Sequence, residues 1–117
     1  MTQEEVLDMG QIEELISLDE TRAVLAEFVG MFTEQAPARI AEMRSAYSAG
    51  DLPRLAAVAH SLKGASGNLG AKLVAEVSKR LEHAGKAGNG DGLDKDLAEL
   101  EARYAEAENA LKALLPA

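Results

Sequence analysis

From Leu25 to Leu114 apolar side chains recur at steps of three and four residues, and nowhere do apolar and polar residues alternate long enough for a half-buried strand. This period restricts the chain to helices that each bury one stripe. A short first helix is expected at Met9–Leu18, with Ile12, Leu15 and Ile16 on one face, lying as a lid on the others. A second is expected at 20–49, with Leu25, Phe28, Phe32, Ala36, Ile40, Met43 and Tyr47 buried, Asp19 or Ser17 as its cap, and a bend at Pro37.

Gly50 ends that helix in a left-handed conformation, and Asp51 caps a third at 52–67 that tolerates Pro53 in its first turn and buries Leu55, Val58, Ala59, Leu62 and Ala65 or Ser66. A fourth, at 71–84, presents Leu73, Val77 and Leu81. It is followed by four glycines within 85–92, which read as a turn. The last, at 93–115, aligns Leu97, Leu100, Tyr104, Ala107, Leu111 and Leu114, with Glu99 and Arg103 paired one turn apart. Four long amphipathic helices with short connections predict an all-α, antiparallel up-down-up-down four-helix bundle carrying a short additional N-terminal helix, and 117 residues make one domain over 1–117.

Composition narrows the function classes. A formal net charge of −8 without a basic stripe argues against nucleic acid as a partner. The absence of cysteine removes disulfides and thiolate metal sites, and the acidic start MTQEEVLDMG is unlike a secretion signal. No stretch approaches the roughly 18 apolar residues of a membrane span. These features predict a cytoplasmic chain with no membrane partner. No glycine-rich nucleotide loop is present, so intrinsic ATP-dependent kinase activity is not expected.

One segment resists a purely structural explanation. In AHSLKGASGNLG, residues 59–70, a histidine stands among three glycines inside a helical pattern, where each glycine costs roughly 0.5–1 kcal/mol relative to alanine. With Leu62 at the centre of the buried face, His60 falls at about 160°, on the solvent side, at 100° per residue. Its neighbours there are Ala57, Gly64, Gly67 and, if the helix continues, Ala71, so the imidazole stands on a strip cleared of side chains. Such a strip admits another protein close to the backbone, which makes Ala57, Gly64 and Gly67 candidate docking residues. Gly70 is explained as a helix terminus; Gly64 is not. Lys63, at about 100° on the same wheel, is within reach of an anion carried by the ring.

These residues resemble the histidine-containing phosphotransfer (HPt) domain family. The likeness runs through His60-Ser61-Leu62-Lys63-Gly64 to Asn68-Leu69-Gly70, and extends to Ala36-Pro37, the Ala49-Gly50-Asp51 turn and the last amphipathic helix. It implies a phosphoryl carrier in which His60 takes a phosphoryl group from a receiver-domain aspartate and passes it to another. Near neutral pH imidazole is substantially unprotonated, so a ring nitrogen can attack phosphorus without a dedicated base, while Lys63 would offset charge on the phosphoryl oxygens. The partners implied are response-regulator receiver domains and a hybrid histidine kinase; the chain is expected to be a monomer without a cofactor, magnesium being supplied by the receiver. The family often orients the imidazole from the neighbouring helix, and Glu82, Lys79 and Lys86 all lie in that region, Glu82 foremost. Met31 and Phe32 are candidates for the apolar part of the docking surface. The competing reading is a helical-bundle protein that docks on signalling partners without being phosphorylated.

Overall fold

The computed structural model describes residues 2–116. Six helices follow in order: α1 Gln3–Val6, α2 Met9–Leu18, α3 Ala23–Ser48, α4 Leu52–Leu69, α5 Lys72–Lys86 and α6 Leu93–Lys112. The long helices α3 to α6 each pack on their chain neighbour, and α3 against α6 closes the ring into a bundle, with extents of 45 × 23 × 20 Å. Among the described residues no strand occurs, and no helix is long and apolar enough to cross a membrane.

The expected helices are present, with shifted boundaries. The four-residue α1 has no counterpart in the sequence reading; Thr2 accepts from the Glu5 N–H at its start, and its Val6 is buried. Helix α3 begins at Ala23 rather than residue 20, because Arg22, in the left-handed region (φ 62°), starts it without a side-chain cap; Asp19 instead bonds Thr21. It runs on through Pro37 to Ser48. Its buried stripe is Leu25, Val29, Phe32, Ala36, Ile40, Met43 and Ala46, whereas Phe28 is 42% exposed and Tyr47 half-buried. Phe28 lies at the edge of the stripe, beside a shallow groove between α3 and the end of α4.

Asp51 caps α4 as expected, its carboxylate accepting from the Arg54 N–H at 3.1 Å. The helix continues two residues beyond the expected end, and Ser66, rather than Ala65, is the fully buried residue, its hydroxyl donating to the Leu62 carbonyl at 2.6 Å. On α5 the buried apolar side chains are Val74, Val77 and Leu81, with Leu73 only half-buried. This helix extends through Gly85 to Lys86, so the turn begins later than the glycines suggested. Helix α6 ends at Lys112, before residue 115. Glu99 meets Arg80 of α5 at 2.7 Å more closely than Arg103, at 4.0 Å.

The N-terminal segment lies against the far end of α4. The Asp8 N–H donates to the Gly70 carbonyl at 2.7 Å, Gln11 Nε2 donates to the Asn68 carbonyl at 2.9 Å, and Ile12 and Leu15 are buried. Gly70 has φ +82°, and a Cβ there would approach the Asp8 carbonyl oxygen to 3.1 Å. Gly30, by contrast, sits mid-helix with open space where a Cβ would stand. We therefore expect opposite effects from the same methyl group in urea unfolding. Gly30→Ala should gain about 0.5–1 kcal/mol through helix propensity, and Gly70→Ala should lose about 1–2 kcal/mol through left-handed strain. Equal shifts would contradict this assignment.

Candidate functional site

Helix α4 carries His60 outward, with a side-chain exposure of 66%. Ala57, Gly64 and Gly67 are exposed around it, and nothing lies within 4 Å of a Cβ built on either glycine. Ala71 is not part of this strip. The helix stops at Leu69, Gly70 turns the chain left-handed, and Ala71 is buried.

Helix α5 brings Glu82 to the ring. Its carboxylate is 2% exposed and has three partners: His60 Nδ1 at 2.8 Å and Lys86 Nζ at 2.9 Å, both on Oε2, and Lys63 Nζ at 2.7 Å on Oε1. The lysines hold the carboxyl at about 2, well below its ordinary 4.5; Lys63 acts most strongly, then Lys86, with burial opposing and the bond to His60 assisting. Glu82 is therefore ionised at neutral pH and can only accept. In the neutral imidazole the proton must then sit on Nδ1, which leaves the lone pair on Nε2. The ring is thus held by one nitrogen and free to react at the other.

Of the three α5 residues considered from the sequence, Glu82 meets the imidazole, Lys86 meets Glu82 one turn on, and Lys79 is exposed on the helix. The place of Lys86 as a second cation was missed, although a glutamate four residues before a lysine is the favourable order for a helical pair. Lys63 is one-third exposed and joined to Glu82 in the unphosphorylated chain, so its reach toward an incoming anion competes with that bond. His83 is exposed on α5.

Beside the strip, Phe28, Met31, Phe32 and Gln35 of α3 face Ala65, Asn68 and Leu69 of α4 across an apolar groove. Phe28 and Met31 are 42% and 49% exposed. Phe32 is buried and packs on Tyr104 with the rings tilted by 51° and their centroids 5.7 Å apart, so its chief contribution is to the core.

The acid response of the cluster follows from the depressed carboxyl. Between about 2 and 4.5 the unfolded chain binds more protons at residue 82 than the folded one, so stability rises with pH across that window. The contribution is complete above 4.5 and lost as the pH falls toward 2. Urea midpoints of the natural chain and Glu82→Gln, compared from pH 7 to 2.5, should show a gap that closes below 4.5; a gap of constant size would mean that the charge of Glu82 contributes nothing.

Known proteins share this fold. Over 92% of both chains, the structure superposes on histidine-containing phosphotransfer protein B of Pseudomonas aeruginosa with a TM-score of 0.85 and 27% identity. The histidine-containing phosphotransfer domain of ArcB from Escherichia coli shares the fold, with a TM-score of 0.82 over 95% of this chain and 93% of that one, at 19% identity. In sequence, 93 residues are 29% identical to multistep phosphorelay regulator 1 of Schizosaccharomyces pombe, covering 78% of this chain and 32% of that protein, so the chain spans about a third of the relative's length. The Hpt domain profile matches residues 27–110, which hold α4, α5 and the whole His60 cluster, and the chain belongs to the Hpt domain family of phosphorelay phosphotransfer proteins.

Proposed function

We propose that His60 is the phosphoryl acceptor, and that the chain relays phosphoryl groups between receiver domains. The observation that carries this reading is the hydrogen bond between Nδ1 and a buried, ionised Glu82, which in the neutral imidazole leaves the lone pair on Nε2 of an exposed side chain. In the step proposed, the Nε2 lone pair attacks phosphorus, the bond from phosphorus to the aspartyl oxygen breaks, and the aspartate leaves as a carboxylate. The Nδ1 proton stays between the ring and Glu82, whose negative charge offsets the positive charge developing on the imidazole. Lys63 offsets charge on the phosphoryl oxygens as it exchanges Glu82 for the incoming group, and Lys86 continues to neutralise the carboxylate.

A receiver domain docks over Ala57, Gly64 and Gly67, where nothing projects, with the exposed Phe28 and Met31 as the apolar flank of the contact. Magnesium belongs to the receiver: the charges beside His60 are one carboxylate already bound by two ammonium groups, a set that repels a divalent cation. We place the carrier in the cytoplasm as a monomer, loaded by the receiver of a hybrid histidine kinase and acting without ATP-dependent kinase activity of its own. The reading as a docking protein without phosphorylation leaves the Nδ1 contact with Glu82 unexplained.

Incubation with a phosphorylated receiver domain should place acid-labile phosphate on His60, and His60→Gln should abolish it. Label on His83, or label retained in His60→Gln, would overturn the assignment. Gly64→Gln should keep or raise Tm, since an exposed helical glycine is replaced, while transfer falls about tenfold or more as the added side chain blocks close approach. Unchanged transfer would place the receiver elsewhere.

A further inference from the structure

Gly85 lies inside α5 rather than in the turn after it, and it is buried. It sits three residues beyond Glu82 and so on the same face of the helix. A Cβ at this position would come within 2.9 Å of the Ala56 Cβ, 2.9 Å of the Leu52 carbonyl oxygen and 3.1 Å of the Ala56 nitrogen. Two of those three atoms belong to the α4 backbone and cannot yield by a rotamer change. Ala56 is in turn one helical turn before His60. A close approach of α4 and α5 therefore stands directly beside the point where Glu82 reaches the imidazole.

We infer that Gly85 is a positioning residue for His60. By carrying no side chain it lets α5 lie close enough to α4 for the Glu82 carboxylate to hold Nδ1 at 2.8 Å and Lys63 at 2.7 Å. A methyl group there must push the helices apart by about 0.5–1 Å to restore ordinary van der Waals contact. A hydrogen bond stretched beyond about 3.5 Å no longer fixes a tautomer. The glycine thus acts through Glu82 on which ring nitrogen carries the proton, and touches neither the ring nor a phosphoryl donor. Gly64 and Gly67 differ from it in this respect, because each faces open space.

The test is the imidazole nitrogen spectrum of full-length chain labelled with 15N, recorded for the natural chain, Gly85→Ala and Leu111→Ala. The last removes a buried side chain at the far end of α6 and serves as a destabilised control. The natural chain and Leu111→Ala should show His60 chiefly protonated at Nδ1, and Gly85→Ala should show a mixture of both tautomers. If Gly85→Ala alone fails to unfold cooperatively, the pair Gly85→Ala with Ala56→Gly, which removes one of the two clashing methyl groups, is read in the same way. Phosphorylation by phosphoramidate, which needs no docking surface, should fall about tenfold in Gly85→Ala while receiver affinity is unchanged. A Gly85→Ala chain that keeps Nδ1–H overturns the inference. The kinetic arm rests on His60 being the acceptor; the tautomer arm does not, so an unphosphorylated natural chain would overturn the carrier role while leaving the positioning result standing.

Discussion

Glu82 is a carboxylate taken almost completely out of water, and the arrangement of α4 and α5 around it can be derived from that one constraint. An isolated buried charge is costly, and it persists only where partners replace its hydration. Three do so here: Lys63 and His60 from α4, and Lys86 from α5 itself. The cations hold the group ionised, and an ionised carboxylate can accept but not donate, so the imidazole proton is confined to Nδ1. In the carrier role we propose, reactivity at Nε2 is then a consequence of how the charge is neutralised. Two of the three bonds cross between helices, so the same contacts that satisfy the carboxylate also hold α5 against α4.

The outer surface is organised by the opposite requirement. A bundle helix is most stable when its solvent face carries good helix formers, yet α4 carries Gly64 and Gly67 there, and α3 leaves Phe28 and Met31 uncovered. Each departure costs a fraction of the stability supplied by the core of Leu55, Leu62, Leu81, Leu97 and Leu100, all fully or almost fully buried. In the docking arrangement we propose, what the departures share is access for another folded protein. The surface around His60 is clear of side chains at Gly64 and Gly67, and its flank is apolar.

Much of this was legible in the sequence, because helix periodicity reports directly on which residues face the core. The bundle, the buried stripe of α4, and the outward projection of His60 follow from spacing alone. The errors have identifiable causes. Phe28 satisfies the spacing of a buried residue but stands at the edge of the stripe, lining the groove between α3 and the last turns of α4, and spacing along α3 carries no information about how far a neighbouring helix covers it. Gly85 was grouped with the glycines of the turn because composition cannot distinguish a glycine needed for backbone conformation from one needed for close helix packing. Asp19 and Ser17 are the capping residues that the sequence offers for α3, whereas Arg22 in a left-handed conformation starts the helix without a side-chain cap. Glu82 was identified by its region, but its burial and its threefold pairing depend on the distance between α4 and α5, which no single helix encodes.

If the bond between Nδ1 and Glu82 governs the site, the phosphoryl group has only one ring nitrogen available to it. Nuclear magnetic resonance of the phosphorylated chain distinguishes the two phosphohistidine isomers by their phosphorus and ring-nitrogen couplings. The phosphoryl group is expected on Nε2 of His60, with the Nδ1 proton still directed at Glu82. A phosphoryl group on Nδ1 would require the Glu82 contact to break before transfer, and would contradict the role given to that bond.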